Sequence, residues 1–287
     1  MGLARCCKVP LVGVEISYAR TMMMDQLPRK SIQLDSVATA YLDAGQGETI
    51  VALHGIPTSS LLFAPLLPHL SNYRLIAPDL LGQGRTETPT TGHLDYSAYA
   101  DHLHAFLCAV PPEHFHLLVH DLGGVLGLDW ATENTERLKS LIILSTTVTE
   151  SIRVGKLLYA ANLVLGQHLL RWGMQSTLNR PQRLDNALME EWIRPWSRRR
   201  ILRGMDHFAG RHLRRIRSKL GRLQVPVLVV WGEQDRIFPL RHASSIIQAS
   251  PEAKMRTIKQ CGHWSPLDAP EEIAQFITEF FSARGHA

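Results

Sequence analysis

The run His116-Leu117-Leu118-Val119-His120-Asp121-Leu122-Gly123-Gly124 is an apolar segment that breaks into a turn of small residues, with a carboxylate at the break. A nucleophile held on a tight strand-to-helix turn needs small neighbours, because the backbone there is strained and Cβ atoms would collide. Gly123 and Gly124 supply that room, and Asp121 is the candidate nucleophile. A serine in this place would attack a carbonyl, whereas a carboxylate displaces a leaving group from an sp3 carbon and becomes an ester. The expected substrate is therefore an alkyl electrophile. An Asp just before a helix beginning at Leu122 is also an ordinary helix cap, and the position by itself does not separate the two readings.

Three other segments must position this carboxylate. The run Thr49-Ile50-Val51-Ala52-Leu53 reads as a buried strand and ends in His54-Gly55-Ile56-Pro57-Thr58-Ser59-Ser60, a turn whose backbone can face the nucleophile. The N–H groups of Ile56 and Leu122 are the expected oxyanion donors. Val225 to Trp231 reads as a second buried strand, and Gly232-Glu233-Gln234-Asp235-Arg236 follows it. Asp235 then lies at a strand's carboxyl end, where open α/β sheets place function. Cys261-Gly262-His263-Trp264-Ser265-Pro266 comes after the strand-like run Ala253 to Ile258 and before an amphipathic helix from Pro270 to about Ala283, and it makes His263 the candidate base. Among the 14 histidines, His54 reads as a hydrogen-bonding residue of its turn and His120 as a neighbour shaping the field around Asp121. The strand Leu138 to Leu144 is followed by Ser145-Thr146-Thr147, with no carboxylate before Glu150, so Asp235 is the preferred acid partner. Asp79, in Ala77-Pro78-Asp79-Leu80-Leu81-Gly82-Gln83-Gly84, reads as scaffold, and its glycines lack the third Gly and the Lys-Ser/Thr pair of a phosphate loop.

From about Ser31 to Phe281, apart from a middle insertion, the arrangement resembles the α/β-hydrolase superfamily, in which nucleophile, acid and base follow in this order. The resemblance implies a mostly parallel, eight-stranded sheet with helices on both faces and a helical cap. His54 to Ser60 and His120-Asp121-Leu122-Gly123-Gly124-Val125-Leu126-Gly127-Leu128-Asp129-Trp130-Ala131 look like the haloalkane dehalogenase group, which shares Asp-nucleophile chemistry with epoxide hydrolases. Two residues depart from that group: Leu122 stands where a Trp usually donates to the leaving halide, and Ile56 where many members carry Asn. Cleavage of a carbon–halogen bond would then need a donor in the cap, where Trp172, Trp192 and Trp196 are available, each equally readable as core packing. Epoxide opening typically uses two cap tyrosines; this cap holds Tyr159, while Tyr96 and Tyr99 fall in a core helix. A non-catalytic binding homologue, and ester or carbon–carbon chemistry with Asp121 as base, complete the alternatives.

With 287 residues, 45% apolar and 20% charged, the chain can bury a full core and hold one domain plus an insertion. The expected division is an extension at 1–30, a core at 31–148 and 222–287, and a helical cap at 149–221. The extension is expected to be loosely ordered, and Met22, Met23 and Met24 allow a start nearer the core. Leu157, Leu158, Ala161, Leu165, His168 and Leu169 recur at helical spacing in the cap. From Arg194 to Arg222 there are eleven Lys or Arg and one acid, Asp206, against a net +5 for the whole chain. That run reads first as a solvated cap face, and as a weak attraction to anionic substrates or membrane surfaces second. With only Trp196 and Phe208 interleaved, nucleic acid is not the expected partner. No apolar stretch reaches the roughly 18 residues of a membrane helix, and no convincing signal peptide is present, so the cytoplasm is the expected compartment. Cys6, Cys7, Cys108 and Cys261 have no metal-ligand spacing and are expected as thiols. No cofactor or metal is expected, only a small hydrophobic substrate and water.

Overall fold

The computed structural model describes residues 27–89, 94–149, 167–197 and 210–283. Its strands are β1 (Arg29–Leu34), β2 (Val37–Gly45), β3 (Glu48–Leu53), β4 (Tyr73–Pro78), β5 (Phe115–His120), β6 (Leu138–Leu144), β7 (Val227–Gly232) and β8 (Lys254–Ile258). They form one eight-stranded sheet in the order β1-β2-β4-β3-β5-β6-β7-β8. β2 pairs antiparallel with β1 and β4, and every other pairing is parallel. β1 begins at Arg29, opposite Leu42, so the sheet already includes the end of the stretch expected as an extension. The sequences of β3, β5 and β7 are buried almost throughout, as strands covered on both faces must be.

The described α-helices are α1 (Tyr96–Ala109), α2 (Asp121–Glu133), α3 (Gln167–Thr177), α4 (Asn186–Ile193), α5 (Gly210–Leu220), α6 (Arg241–Ala249), the single turn α7 (Ser265–Asp268) and α8 (Pro270–Ser282), and 3-10 helices lie between elements, the longest at Ser60–His69. Alternate strand residues feed two cores. Val51, Leu53, Leu117 and Val119 pack with α1, α2, α5 and α6 on one face, and Ile50, Ala52 and Leu118 pack with Leu62, Phe63, Trp192 and Ile277 on the other. Period-two side-chain alternation is what sends neighbouring residues to opposite layers.

The strand order reverses between β3 and β5: β4 lies to one side of β3, while the later strands lie on the other. Crevices in open α/β sheets form at such a reversal, outside the carboxyl ends of the strands. The turns at His54 and Asp121 lead out of those two ends. Within the span expected to be cap, α4 buries Leu188, Met189, Trp192 and Ile193, whereas α5 places Leu213 and Ile216 in the same cluster as Val125 and Leu126 of α2. Leu157, Leu158, Ala161 and Leu165 lie outside the described residues, and Leu169 falls in α3. No described helix is long and apolar enough to cross a membrane, and Cys108 and Cys261 are free thiols.

Candidate active site

Asp121 is the first residue of α2 and has φ of 50°, a left-handed backbone that is costly for a residue with a Cβ. The strain turns the chain abruptly from β5 into α2 and leaves the carboxylate at the strand tip. Two bonds hold the turn: the Asp121 N–H donates to the Ser145 carbonyl at 3.1 Å, and the Thr146 hydroxyl donates to the Asp121 carbonyl at 2.7 Å. The small neighbours expected from the sequence are required, since a Cβ on Gly123 would sit 2.4 Å from the carbonyl oxygens of Leu53 and His54. Gly55 is equally constrained from the opposite side, where a Cβ would come within 2.2 Å of the Asp121 side chain.

The carboxylate has one oxygen on each of two partners. Oδ1 accepts the Ile56 N–H at 2.9 Å, and Oδ2 lies 3.5 Å from Nε2 of His263. The Leu122 amide is one of the first N–H groups of α2, which have no partner within their own helix. Behind His263, its Nδ1 donates to Asp235 Oδ2 at 3.1 Å, and Asp235 Oδ1 accepts the N–H groups of Ile237 and Phe238, each at 2.8 Å. The three residues read from the sequence are thus brought together from β5, β7 and the loop after β8. His263 and Asp235 have fully buried side chains, and that of Asp121 is 13% exposed.

Their charges are mutually dependent. Burial works to raise the Asp121 pKa, but the neighbouring imidazolium of His263 and, to a smaller degree, the Ile56 amide hold it below the usual carboxylate value. Asp235 is lowered against its own burial by His263 and by the Phe238 amide. Burial works to lower the His263 pKa, yet the flanking Asp235 and Asp121 raise it to about 9. An imidazole between two carboxylates keeps its proton because losing it would leave two uncompensated buried charges.

Neighbouring residues divide into scaffold and support. Nε2 of His54 accepts the Leu80 N–H at 2.9 Å, which leaves Nδ1 to donate to the Gly55 carbonyl at 2.8 Å. Asp79 accepts the N–H groups of Ser60 at 2.7 Å and Arg85 at 2.8 Å, so both of its oxygens secure backbone. Trp192 is buried and donates its indole N–H to the Ser59 hydroxyl at 2.9 Å, which takes it out of use as a leaving-group donor in this arrangement. Trp172 is 66% exposed, so most of its ring faces solvent. Tyr159 and the side chain of Trp196 lie outside the described residues. In the basic run, Arg215 pairs with Asp129 and Lys219 with Glu133, both on α2, so part of it braces the helix that carries Asp121. Arg214 and Arg217 are exposed, in keeping with a solvated face.

Sequence reasoning missed several supports. Ser145 and Thr146, which carry no carboxylate and so no catalytic signal in the sequence, hold the Asp121 backbone. Asp268 accepts the Gly262 N–H at 2.9 Å and the Arg180 N–H at 2.9 Å, tying the base loop to the segment after α3. The Trp264 indole donates to Thr177 at 2.8 Å across the same seam. No local pattern marks Asp268, because its role in joining the two segments depends on the Arg180 amide, 88 residues away. Among the described residues no group of three or more His, Cys, Asp or Glu is arranged to hold a metal.

The chain is similar to known proteins in sequence and in fold. The chain is 28% identical to a cis-3-alkyl-4-alkyloxetan-2-one decarboxylase of Shewanella oneidensis, over 84% of each chain. It is 23% identical to a 2-hydroxy-6-oxo-6-phenylhexa-2,4-dienoate hydrolase of Comamonas testosteroni, covering 94% of this chain and 99% of that one. Among solved structures, Cfl2 from Burkholderia cenocepacia superposes with a TM-score of 0.74 at 25% identity, over 88% of this chain and 95% of the other. The profile of the alpha/beta hydrolase fold matches residues 48–270, from the start of β3 to the start of α8. A match that takes in the reversal point, the strained turn and the loops bearing Asp235 and His263 makes this chain a member of the alpha/beta hydrolase fold family.

Proposed function

We propose that this hydrolase-fold protein uses Asp121 as a nucleophile at sp3 carbon, forming an alkyl ester that water then cleaves. The observation that carries the reading is the carboxylate on its strained turn, with Oδ1 on the Ile56 N–H and Oδ2 3.5 Å from the His263 imidazole. In the first step an Asp121 oxygen forms a bond to carbon, and the leaving group departs with the electron pair of the broken bond. Esterification removes the Asp121 charge that helps keep His263 protonated, so the His263 pKa falls and its proton passes to solvent water. Once neutral, Nε2 takes a proton from water as the oxygen attacks the ester carbonyl, and the amides of Ile56 and Leu122 receive the developing oxyanion. Collapse expels the alkoxide, which takes a proton from the His263 imidazolium and leaves as alcohol, and the Asp121 carboxylic acid then gives its own proton to Nε2, which restores the carboxylate and the imidazolium. Asp235 holds Nδ1–H throughout and balances the imidazolium.

Cleavage of a carbon–halogen bond is the first substrate reading, on the resemblance of the two turns to haloalkane dehalogenases. A second reading is favoured by how the donors are spent. Trp192 is bonded to Ser59, and the Tyr96 hydroxyl donates to Asp129 at 2.5 Å, which leaves fewer groups to receive a halide or to protonate an epoxide oxygen. A strained four-membered lactone needs neither, because opening at its sp3 carbon releases a carboxylate, a weak base. The oxetan-2-one relative supports that substrate class.

Intact-mass spectrometry of His263→Ala with bromoalkanes, epoxides and β-lactones tests the proposal, since the ester should persist without its base. A gain equal to the alkyl group without halogen supports dehalogenation. A gain of the whole molecule supports ring opening, provided that Asp121→Asn abolishes it. No adduct from any panel, with the protein folded, would move Asp121 out of the nucleophile role and favour a binding protein.

A further inference from the structure

His263 sits in an irregular loop between β8 and α7, where no sheet ladder fixes its backbone. The loop enters through Gln260, which has φ of 52°, and is held from both sides by buried side chains. On one side the Gly262 N–H donates to Asp268. On the other, Nε2 of His120 donates to the His263 carbonyl at 3.0 Å, across 143 residues of sequence. His120 is the last residue of β5, directly before Asp121, and its side chain is fully buried. Its ring centroid lies 4.8 Å from that of His263 and 5.9 Å from that of Trp264.

We propose that His120 is a positioning residue for the base: its Nε2–H bond to the His263 carbonyl sets the imidazole of His263 in register with Asp121. The proposal rests on the roles assigned to Asp121 and His263 above. One strand end then aims both partners, the nucleophile through the backbone of residue 121 and the base through the side chain of residue 120. Packing does not account for a histidine here, because its Nδ1 is buried without a hydrogen-bond partner. An unmatched buried polar atom costs about 1–3 kcal/mol, which an aromatic hydrocarbon of similar size would avoid. The Nε2–H bond is what a hydrocarbon could not supply. Burial and the nearby His263 push the His120 pKa down to about 4, so the ring stays neutral and does not compete with His263 for the two carboxylates.

The test compares His120→Phe, which keeps a ring and loses the donor, with His120→Gln, whose amide N–H can replace Nε2–H. Single-turnover mass spectrometry reads formation and hydrolysis of the Asp121 ester separately. Proton NMR follows the downfield signal of the His263 Nδ1–H shared with Asp235, which needs no substrate. In His120→Phe, ester formation is expected to hold while hydrolysis slows roughly tenfold to a hundredfold, the scale of a catalytic group displaced by about 1 Å. The downfield signal should shift or vanish in His120→Phe and return in His120→Gln. Hydrolysis at the wild-type rate in His120→Phe, with the signal unmoved, overturns the positioning role and leaves the Asp121 chemistry intact. If wild-type protein and His263→Ala form no ester at all, the functional reading fails, and the NMR comparison alone decides the proposal: an unmoved signal overturns it. Should His120→Phe not fold, His120→Asn takes its place, its amide being too short to reach the His263 carbonyl.

Discussion

Asp79 and Asp121 occupy matching places, each one residue beyond the end of a parallel strand, β4 and β5, on either side of β3. Both border the turn at His54 and Gly55, through Leu80 in one case and Ile56 in the other. They differ in what their oxygens meet. Asp79 gives both to backbone amides, of Ser60 and Arg85, and becomes part of the scaffold. Asp121 gives one to an amide and turns the other to an imidazole that can hold or release a proton. The same residue type at the same kind of strand end is therefore structural or available for chemistry according to how fully its acceptors are used.

Exchanging each carboxylate for its amide should break the comparison most sharply. Asp121→Asn is expected to abolish turnover and adduct formation, a loss of at least about 10³-fold, because the amide is a poor nucleophile. Asp79→Asn should keep the ester-forming reaction and instead lower stability by about 1–3 kcal/mol, as a buried N–H loses its acceptor. Steady-state kinetics and urea melts of the two proteins check this, and a Tm-only effect from Asp121→Asn would undo the distinction. Asp235→Asn comes next: rates of ester hydrolysis should fall by about 10²–10⁴-fold, the range for general-base catalysis, with ester formation affected less.

A smaller effect appears in the pH dependence of unfolding. The folded His263 pKa of about 9 lies above its ordinary 6.5, so its stabilisation is full below 6.5 and is lost as pH rises through about 9. Asp121→Asn removes one flanking carboxylate and should move that alkaline loss to lower pH. Asp43, far along the sheet on β2, gives the opposite limb: the Arg74 hydrogen bond lowers its pKa from 3.8 to about 2, so its contribution is present above 3.8 and is lost as pH falls toward 2. Thermal melts from pH 2 to 10 should show the acid limb in both proteins and a displaced alkaline limb only in Asp121→Asn. The smallest change is expected from Trp192→Phe, which leaves Ser59 without its indole donor and should cost about 1 kcal/mol with little change in ester formation.

Much of this is legible in the sequence. The apolar runs of β3, β5 and β7 end at residues that cannot continue a strand, and function collects at those ends. β7 starts at Val227 and not at Val225 because Pro226 has no N–H for a ladder; its carbonyl instead accepts the Leu141 amide at 2.9 Å. Gly123 and Gly124 mark a crowded turn by their type alone, although the atoms that exclude a Cβ there belong to Leu53, His54 and Thr146, distant in the chain. The cap tryptophans show the limit. Their type and spacing allowed a leaving-group role, but whether an indole N–H is free depends on a neighbour such as Ser59, 133 residues away from Trp192.

The sequence by itself determined the fold, the order of Asp121, Asp235 and His263, and the strain at residue 121, because strand periodicity, glycine and the strand-to-helix break act over a few residues. Only the tertiary structure decided which aspartate keeps an unspent oxygen, that His263 lies between two carboxylates, and that His120 and Asp268 grip its loop. Those are matters of hydrogen-bond satisfaction and desolvation between groups distant in the chain. Their sign is set when the sheet brings the groups within about 3 Å, the range of a hydrogen bond.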